Sequence, residues 1–191
     1  MRIVAGRFRG RVLKAPPGQD TRPTTDRVRE AMFSALASLA GSDLGGGTVL
    51  DAFAGSGVLG LEALSRGCSH AVFVEQAPQA LAAIRGNIAT LGMVASTNIV
   101  AGNVFALGQR HSLPHAPYSL LLLDPPYRLD PATVGSLITS LAANGQLADG
   151  SVVTWEYAST GVIEWPEGFS EISSKRYGST RVDMGVYERG A

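Results

Sequence analysis

The chain has 191 residues, of which 45% are hydrophobic and 17% charged, with 23 Gly and 10 Pro. That length fits one domain able to bury about 70% of its unfolded-chain surface, so no disulfide or metal is needed to hold a core, and the composition excludes disordered, collagenous and coiled-coil classes. The net charge of zero, from 16 basic and 16 acidic residues, speaks as a bulk figure against a polyanion partner.

The placement of charge reverses that inference. Residues 1–30 hold eight cations (Arg2, Arg7, Arg9, Arg11, Lys14, Arg22, Arg27 and Arg29) against Asp20, Asp26 and Glu30, a net +5, and the rest of the chain is −5. A segment this biased predicts a polyanion-binding arm, and its arginines suit phosphate better than lysines would. Cys68, the one cysteine, excludes an internal disulfide and reads as a small buried thiol. His70, His111 and His115 form no metal-ligand pattern, and no metal is expected. Met1–Arg7 lacks the apolar core of a signal peptide, and the charge-free span 86–109 is too often interrupted by polar residues for a membrane helix. A cytoplasmic protein follows, with no membrane partner and no requirement for an oligomer.

In chain order, Arg2–Lys14 reads as a hairpin around Gly6-Arg7-Phe8-Arg9-Gly10, and Ala15-Pro16-Pro17-Gly18 breaks the pattern. This predicts an arm over 1–20 and a main domain over 21–191. Apolar residues at Val28, Ala31, Met32, Ala35, Leu36 and Leu39 predict a one-faced helix with a Thr N-cap. The chain then alternates. Strands are predicted at Thr48–Ala52, Ala71–Val74, Asn98–Ala101 and Tyr118–Leu123. Helices are predicted through Leu59–Ser65, from Pro78 to near Gly92, and over Thr133–Leu141. Val152–Glu156 and Arg181–Tyr187, with no clear helix between them, predict an antiparallel pair at one edge. The fold class is α/β, a doubly wound, Rossmann-like, mostly parallel sheet.

Three motifs carry chemistry. Val49-Leu50-Asp51-Ala52-Phe53-Ala54-Gly55-Ser56-Gly57-Val58-Leu59-Gly60 contains G-x-G-x-x-G between a strand and a helix, a pattern shared by dinucleotide and S-adenosylmethionine sites. Asp51 tilts the choice, since a carboxylate there repels a pyrophosphate but can bind the ammonium of a methionine moiety. Glu75 ends the second strand 24 residues later, near the spacing of an acid that binds ribose hydroxyls. The sharpest signal is Asp124-Pro125-Pro126-Tyr127, directly after the apolar strand. Two prolines fix a corner rich in acceptors, where the Asp124 carboxylate and the Pro125 carbonyl can both face one exocyclic NH2. Hydrogen bonds to both amino protons favour pyramidalisation and aim the lone pair at a sulfonium methyl, while Tyr127 supplies a stacking plane. Asn103, after the third strand and followed by Val104, is the expected adenine contact through its side-chain oxygen.

Together these residues resemble a class I S-adenosylmethionine-dependent methyltransferase and, more narrowly, the RsmD family, which methylates N2 of a guanine in bacterial small-subunit ribosomal RNA. The resemblance rests on Arg2–Gly10, Arg22–Glu30, Asp51–Gly57, Leu59–Gly67 and Asp124–Tyr127. It implies catalysis by Asp124, Pro125, Pro126 and Tyr127. It implies cofactor binding by Thr24, Thr25, Asp51, Phe53, Ala54, Gly55, Gly57, Glu75, Gln76, Asn103 and Val104, with Thr24 and Thr25 covering the methionine end. RNA would be touched by Arg2, Arg7, Arg9, Arg11, Lys14, Arg22 and Arg27, and by Lys175 and Arg176 near a closing hairpin. Asn103 departs from the acid expected at its position. The target base must be unpaired or flipped, because pairing occupies N2 of guanine. The alternatives are an amino-methyltransferase on adenine N6 or a protein glutamine, a dinucleotide-dependent oxidoreductase, and a non-catalytic RNA-binding module.

Overall fold

The run Leu120–Leu123 has no polar face, so the strand that holds it must be covered on both sides. In the computed structural model, which describes residues 1–16, 25–40 and 44–190, this strand is β4 (Tyr118–Leu123), central in a seven-stranded sheet. The other parallel strands are β1 (Thr48–Asp51), β2 (His70–Glu75), β3 (Thr97–Ala101) and β5 (Leu147–Ala158). β6 (Phe169–Tyr177) and β7 (Thr180–Tyr187) complete the order β3-β2-β1-β4-β5-β7-β6. The pairs β5–β7 and β6–β7 are antiparallel.

Each face of the sheet has its own core. Val49, Phe73 and Leu122 point to one side, where they pack with α1 (Asp26–Ala40), α2 (Val58–Ser65), α3 (Pro78–Leu91) and, from the arm, Ile3 and Leu13. Leu50, Val72, Leu121 and Leu123 point to the other, against α4 (Val104–Gln109) and α5 (Pro131–Ala143). The strand order reverses between β1 and β4, so their carboxyl ends flank the crevice where open α/β sheets take ligands. No helix among the described residues is long and apolar enough to cross a membrane.

Several expectations hold closely. Thr25 caps α1, its hydroxyl oxygen accepting from Val28 N–H at 3.3 Å. α3 begins at Pro78 and ends on Gly92 in the left-handed conformation. Cys68 is buried. The boundary expected near residue 20 lies outside the described residues.

Three features add to what the sequence predicts. The arm is the predicted antiparallel turn, with a bridge from Arg2 to Val12 and the N–H groups of Ile3, Gly10 and Leu13 donating to the carbonyls of Arg11, Ile3 and Met1 at 3.0, 2.9 and 3.0 Å. It is also tied to α2. Val4 and Ala5 N–H groups donate to the Glu62 carboxylate at 2.7 and 3.0 Å, and Phe8 N–H donates to Ser65 Oγ at 3.0 Å. Gly6 makes this approach possible, since a Cβ there would lie 1.8 Å from the Ser65 carbonyl oxygen. Second, the edge of the sheet is β6, a strand that no apolar alternation predicts because Phe169–Tyr177 is mostly polar. Polar and charged side chains with a register shift suit an exposed edge, and β7 is thereby paired on both sides. Third, α4 is too short to show a period, with only six residues.

Candidate active site

Three strand ends build the site. Asp51 ends β1 and pairs with Phe73 of β2 and Leu122 of β4. Glu75, two residues beyond Phe73 in β2, shares the face of Asp51 by alternation, Asp124 directly follows β4, and both carboxylates are near enough for their charges to act on Asp51.

Asp51 is only 1% exposed. Its Oδ2 accepts from Gly60 N–H at 2.9 Å, in the first turn of α2. The N-cap of α2 is Gly57, which has no side chain to offer, so the carboxylate of Asp51 fills that role from the strand. Its Oδ1 is buried without a hydrogen-bond partner among the described residues. Burial is the main cause that pushes the carboxyl up to about 7. The Gly60 hydrogen bond opposes the shift, and the charges of Asp124 and Glu75 add to it.

Glu75 ties two loops together. One oxygen accepts from Gly55 N–H at 2.9 Å, and the other accepts from Gln76 and Ala77 N–H groups at 2.7 and 2.8 Å, just before α3. Gly55 and Gly57 both have positive φ, and a Cβ built on Gly55 meets nothing within 4 Å among the described residues. The backbone there faces open space. The third glycine of the motif serves packing: a Cβ on Gly60 would sit 2.4 Å from the Phe73 ring. Ala54 N–H donates to the Val74 carbonyl at 3.0 Å, which locks the loop to β2.

Phe53 meets Phe105 edge-to-face at 5.9 Å, joining the β1 loop to α4. Asn103 is the N-cap of α4, its Oδ1 accepting from Phe105 and Ala106 N–H groups at 2.9 and 3.3 Å. The oxygen expected to face an adenine amino group thus also caps the start of this helix. Val104 is buried behind it.

After β4, Pro125 is buried while Pro126 and Tyr127 are exposed. Leu129 N–H donates to the Pro126 carbonyl at 2.8 Å and closes the turn. The Tyr127 ring is 49% exposed, and its hydroxyl lies 2.9 Å from Thr180 Oγ1 at the start of β7. Thr24 and Arg22 lie outside the described residues, and Thr25 stands at the head of α1.

Of the predicted RNA contacts, Arg7, Arg9, Arg11, Lys14, Arg27, Lys175 and Arg176 are exposed on the surface. Arg2 is exposed but pairs with Asp26 at 3.2 Å. Arg29 belongs to the interior. It is fully buried, bonds Asp26 at 2.8 Å and lies 3.7 Å from the equally buried Glu62. Sequence reasoning missed Glu62, Phe105 and Thr180. An acid inside the otherwise apolar Val58–Ser65 was the one signal that could have exposed Glu62.

A doubly wound sheet closed by an antiparallel pair, with a glycine loop and acids at its carboxyl ends, is the fold of a class I methyltransferase. A family described as "Conserved hypothetical protein 95" matches residues 1–186. The chain belongs to that family, the RsmD methyltransferases. It is 37% identical over 153 residues to "Ribosomal RNA small subunit methyltransferase D" of Escherichia coli, covering 80% of this chain and 72% of the relative. The protein of the same name from Haemophilus influenzae is 31% identical, covering 93% and 89%. The solved structure of yhhF from Escherichia coli superposes with a TM-score of 0.82 at 31% identity, over 98% of both chains.

Proposed function

We infer that the protein transfers a methyl group from S-adenosylmethionine to the exocyclic N2 of a guanine in small-subunit ribosomal RNA. The observation that carries this reading is the convergence of Asp51, Glu75 and Asp124 at the carboxyl ends of three neighbouring strands, close enough for two of the charges to act on the third. The names of the relatives support ribosomal RNA as the substrate.

The residues present fit the cofactor. The orphaned Oδ1 of Asp51 is an acceptor suited to a cation. The open backbone at Gly55 gives room for close approach, and Glu75 offers a carboxylate to ribose hydroxyls. Phe53, Ala54, Gly57, Gln76 and Val104 would line the same cradle, with Thr24 and Thr25 over the methionine end. S-adenosylmethionine, when bound, supplies an electrophilic methyl group. The Asp124 carboxylate and the Pro125 carbonyl accept both protons of the target amine as hydrogen bonds, which orients the nitrogen and favours its pyramidal form. Pro126 keeps that corner stiff, and Tyr127 stacks on the base.

The arm over 1–20 extends the domain over 21–191 toward RNA. Arg7, Arg9, Arg11, Lys14, Arg22 and Arg27 meet phosphates on one side, and Lys175 and Arg176 meet them on the other. Arg2 contributes less, being paired with Asp26. A ribosomal RNA substrate implies work in the cytoplasm.

The test is incubation with methyl-labelled cofactor and undermethylated ribosomal RNA, naked and in small subunits, followed by mass spectrometry of the nucleosides. N2-methylguanosine is expected. Label in N6-methyladenosine or in protein overturns the guanine reading. Asp124→Ala should abolish turnover with little change in cofactor affinity, and a large loss of cofactor binding would contradict its role.

A further inference from the structure

Tyr127 presents a puzzle of geometry. A base-stacking ring gains most when its plane is already set, yet this ring is half-exposed on a short loop, where two side-chain torsions are available to it. Its far end is held. The hydroxyl lies 2.9 Å from Thr180 Oγ1, and Thr180 is only 8% exposed. Thr180 is in turn fixed by the sheet, paired with Ala158 of β5 on one side and Tyr177 of β6 on the other. The anchor therefore comes from the rigid sheet, while the loop supplies only the ring.

The other side of the same turn carries Lys175 and Arg176, both accessible to solvent. The Arg176 guanidinium donates to the Gly178 carbonyl at 3.0 Å, which ties the cation to the tip of the turn. One short β6–β7 connection thus holds two phosphate-seeking side chains and the residue that grips the ring of the candidate catalytic motif.

We propose that Thr180 is a positioning residue: its hydroxyl sets the plane of Tyr127 for the target base, and through it the β6–β7 turn couples contact with the RNA backbone to the base seat. This rests on the reading of Tyr127 given above. Tyr127→Phe keeps the stacking face and loses the tether, while Thr180→Val keeps the volume and loses the same tether. Each should lower kcat/KM for RNA by about threefold to tenfold, the ordinary worth of one hydrogen bond. Because both break one bond, the double variant should lose no more than either single one. Thr180→Ser should restore turnover. Cofactor affinity and Tm should stay near wild type in all of them.

A second measurement is independent of turnover. In protein labelled with 3-fluorotyrosine, the 19F line of Tyr127 is assigned by its loss in Tyr127→Phe. Thr180→Val should move that line toward the position of exposed tyrosine, and Thr180→Ser should leave it in place. An unmoved line in Thr180→Val, additive losses in the double variant, or failure of Thr180→Ser to rescue overturns the proposal. Absence of wild-type turnover on ribosomal RNA overturns the functional reading and this coupling with it, whereas wild-type turnover with additive losses overturns the coupling alone.

Discussion

Cofactor affinity should rise steeply between pH 5.5 and 7, and Asp51→Asn should abolish that rise. The Asp51 carboxyl is pushed up to about 7, chiefly by burial. It is then ionised in about 3% of molecules at pH 5.5 and in about half at pH 7. A ligand that binds the carboxylate form through its ammonium should bind about 16-fold more tightly at the upper pH, about 1.6 kcal/mol. The ligand's own amino group stays protonated over this interval, its ordinary pKa being about 7.7–8.0. S-adenosylhomocysteine is the suitable probe, since it keeps the ammonium and lacks the sulfonium charge. Isothermal titration in two buffers of different ionisation enthalpy gives both Kd and the protons released, expected to be about 0.9 per site at pH 6. An Asn at position 51 still offers an oxygen to Gly60 N–H, so the start of α2 should survive. A flat Kd in the wild type, or an unchanged slope in Asp51→Asn, would refute the assignment of the buried carboxylate to the ammonium.

Other outcomes follow from the same contacts. The native protein holds the Asp51 proton more tightly than the unfolded chain, whose value is near 3.8, so this residue's stabilising effect is complete below about pH 4 and is lost as pH climbs through about 7. Thermal melts at pH 5 and pH 7.5 should therefore differ more in the wild type than in Asp51→Asn, and equal differences would contradict the buried, protonated state. Glu62→Ala should cost about 3–5 kcal/mol in urea unfolding, because it removes one of the two carboxylates beside the buried Arg29 and leaves the arm's Val4 and Ala5 amides without their acceptor; a loss under about 1 kcal/mol would mean that the arm is held elsewhere. Replacing Arg7, Arg9 and Arg11 together with Ala should weaken RNA binding and reduce the slope of log K against log salt by about 0.7 for each phosphate no longer neutralised, and an unchanged slope would remove the arm from the interface.

The local features of this protein were legible from its residues, for reasons that are themselves local. Apolar periodicity marked α1 and α3, an unbroken leucine run marked β4, and prolines and glycines marked the corners where a ligand can approach. Asp51, Glu75 and Asp124 were found because each follows a strand, and parallel order alone brings strand ends together. What the residue order could not give was which donors reach which acceptors across long separations. The Asn103 oxygen went to a helix start that its short sequence does not announce. Arg29, one of eight cations in the first 30 residues, went to the interior because Glu62, remote in sequence, was buried beside it. β6 carries no apolar alternation, since an exposed edge needs none, and only its pairing with β7 defines it. Tyr127 was chosen by its motif, but Thr180, which grips it, lies 53 residues away in sequence. Residue order was enough for the fold class, because it depends on periods and neighbours along the chain. Folding settled which charges are buried, which oxygens accept which amides and what holds the Tyr127 hydroxyl, because burial and hydrogen bonding depend on groups that meet only in three dimensions.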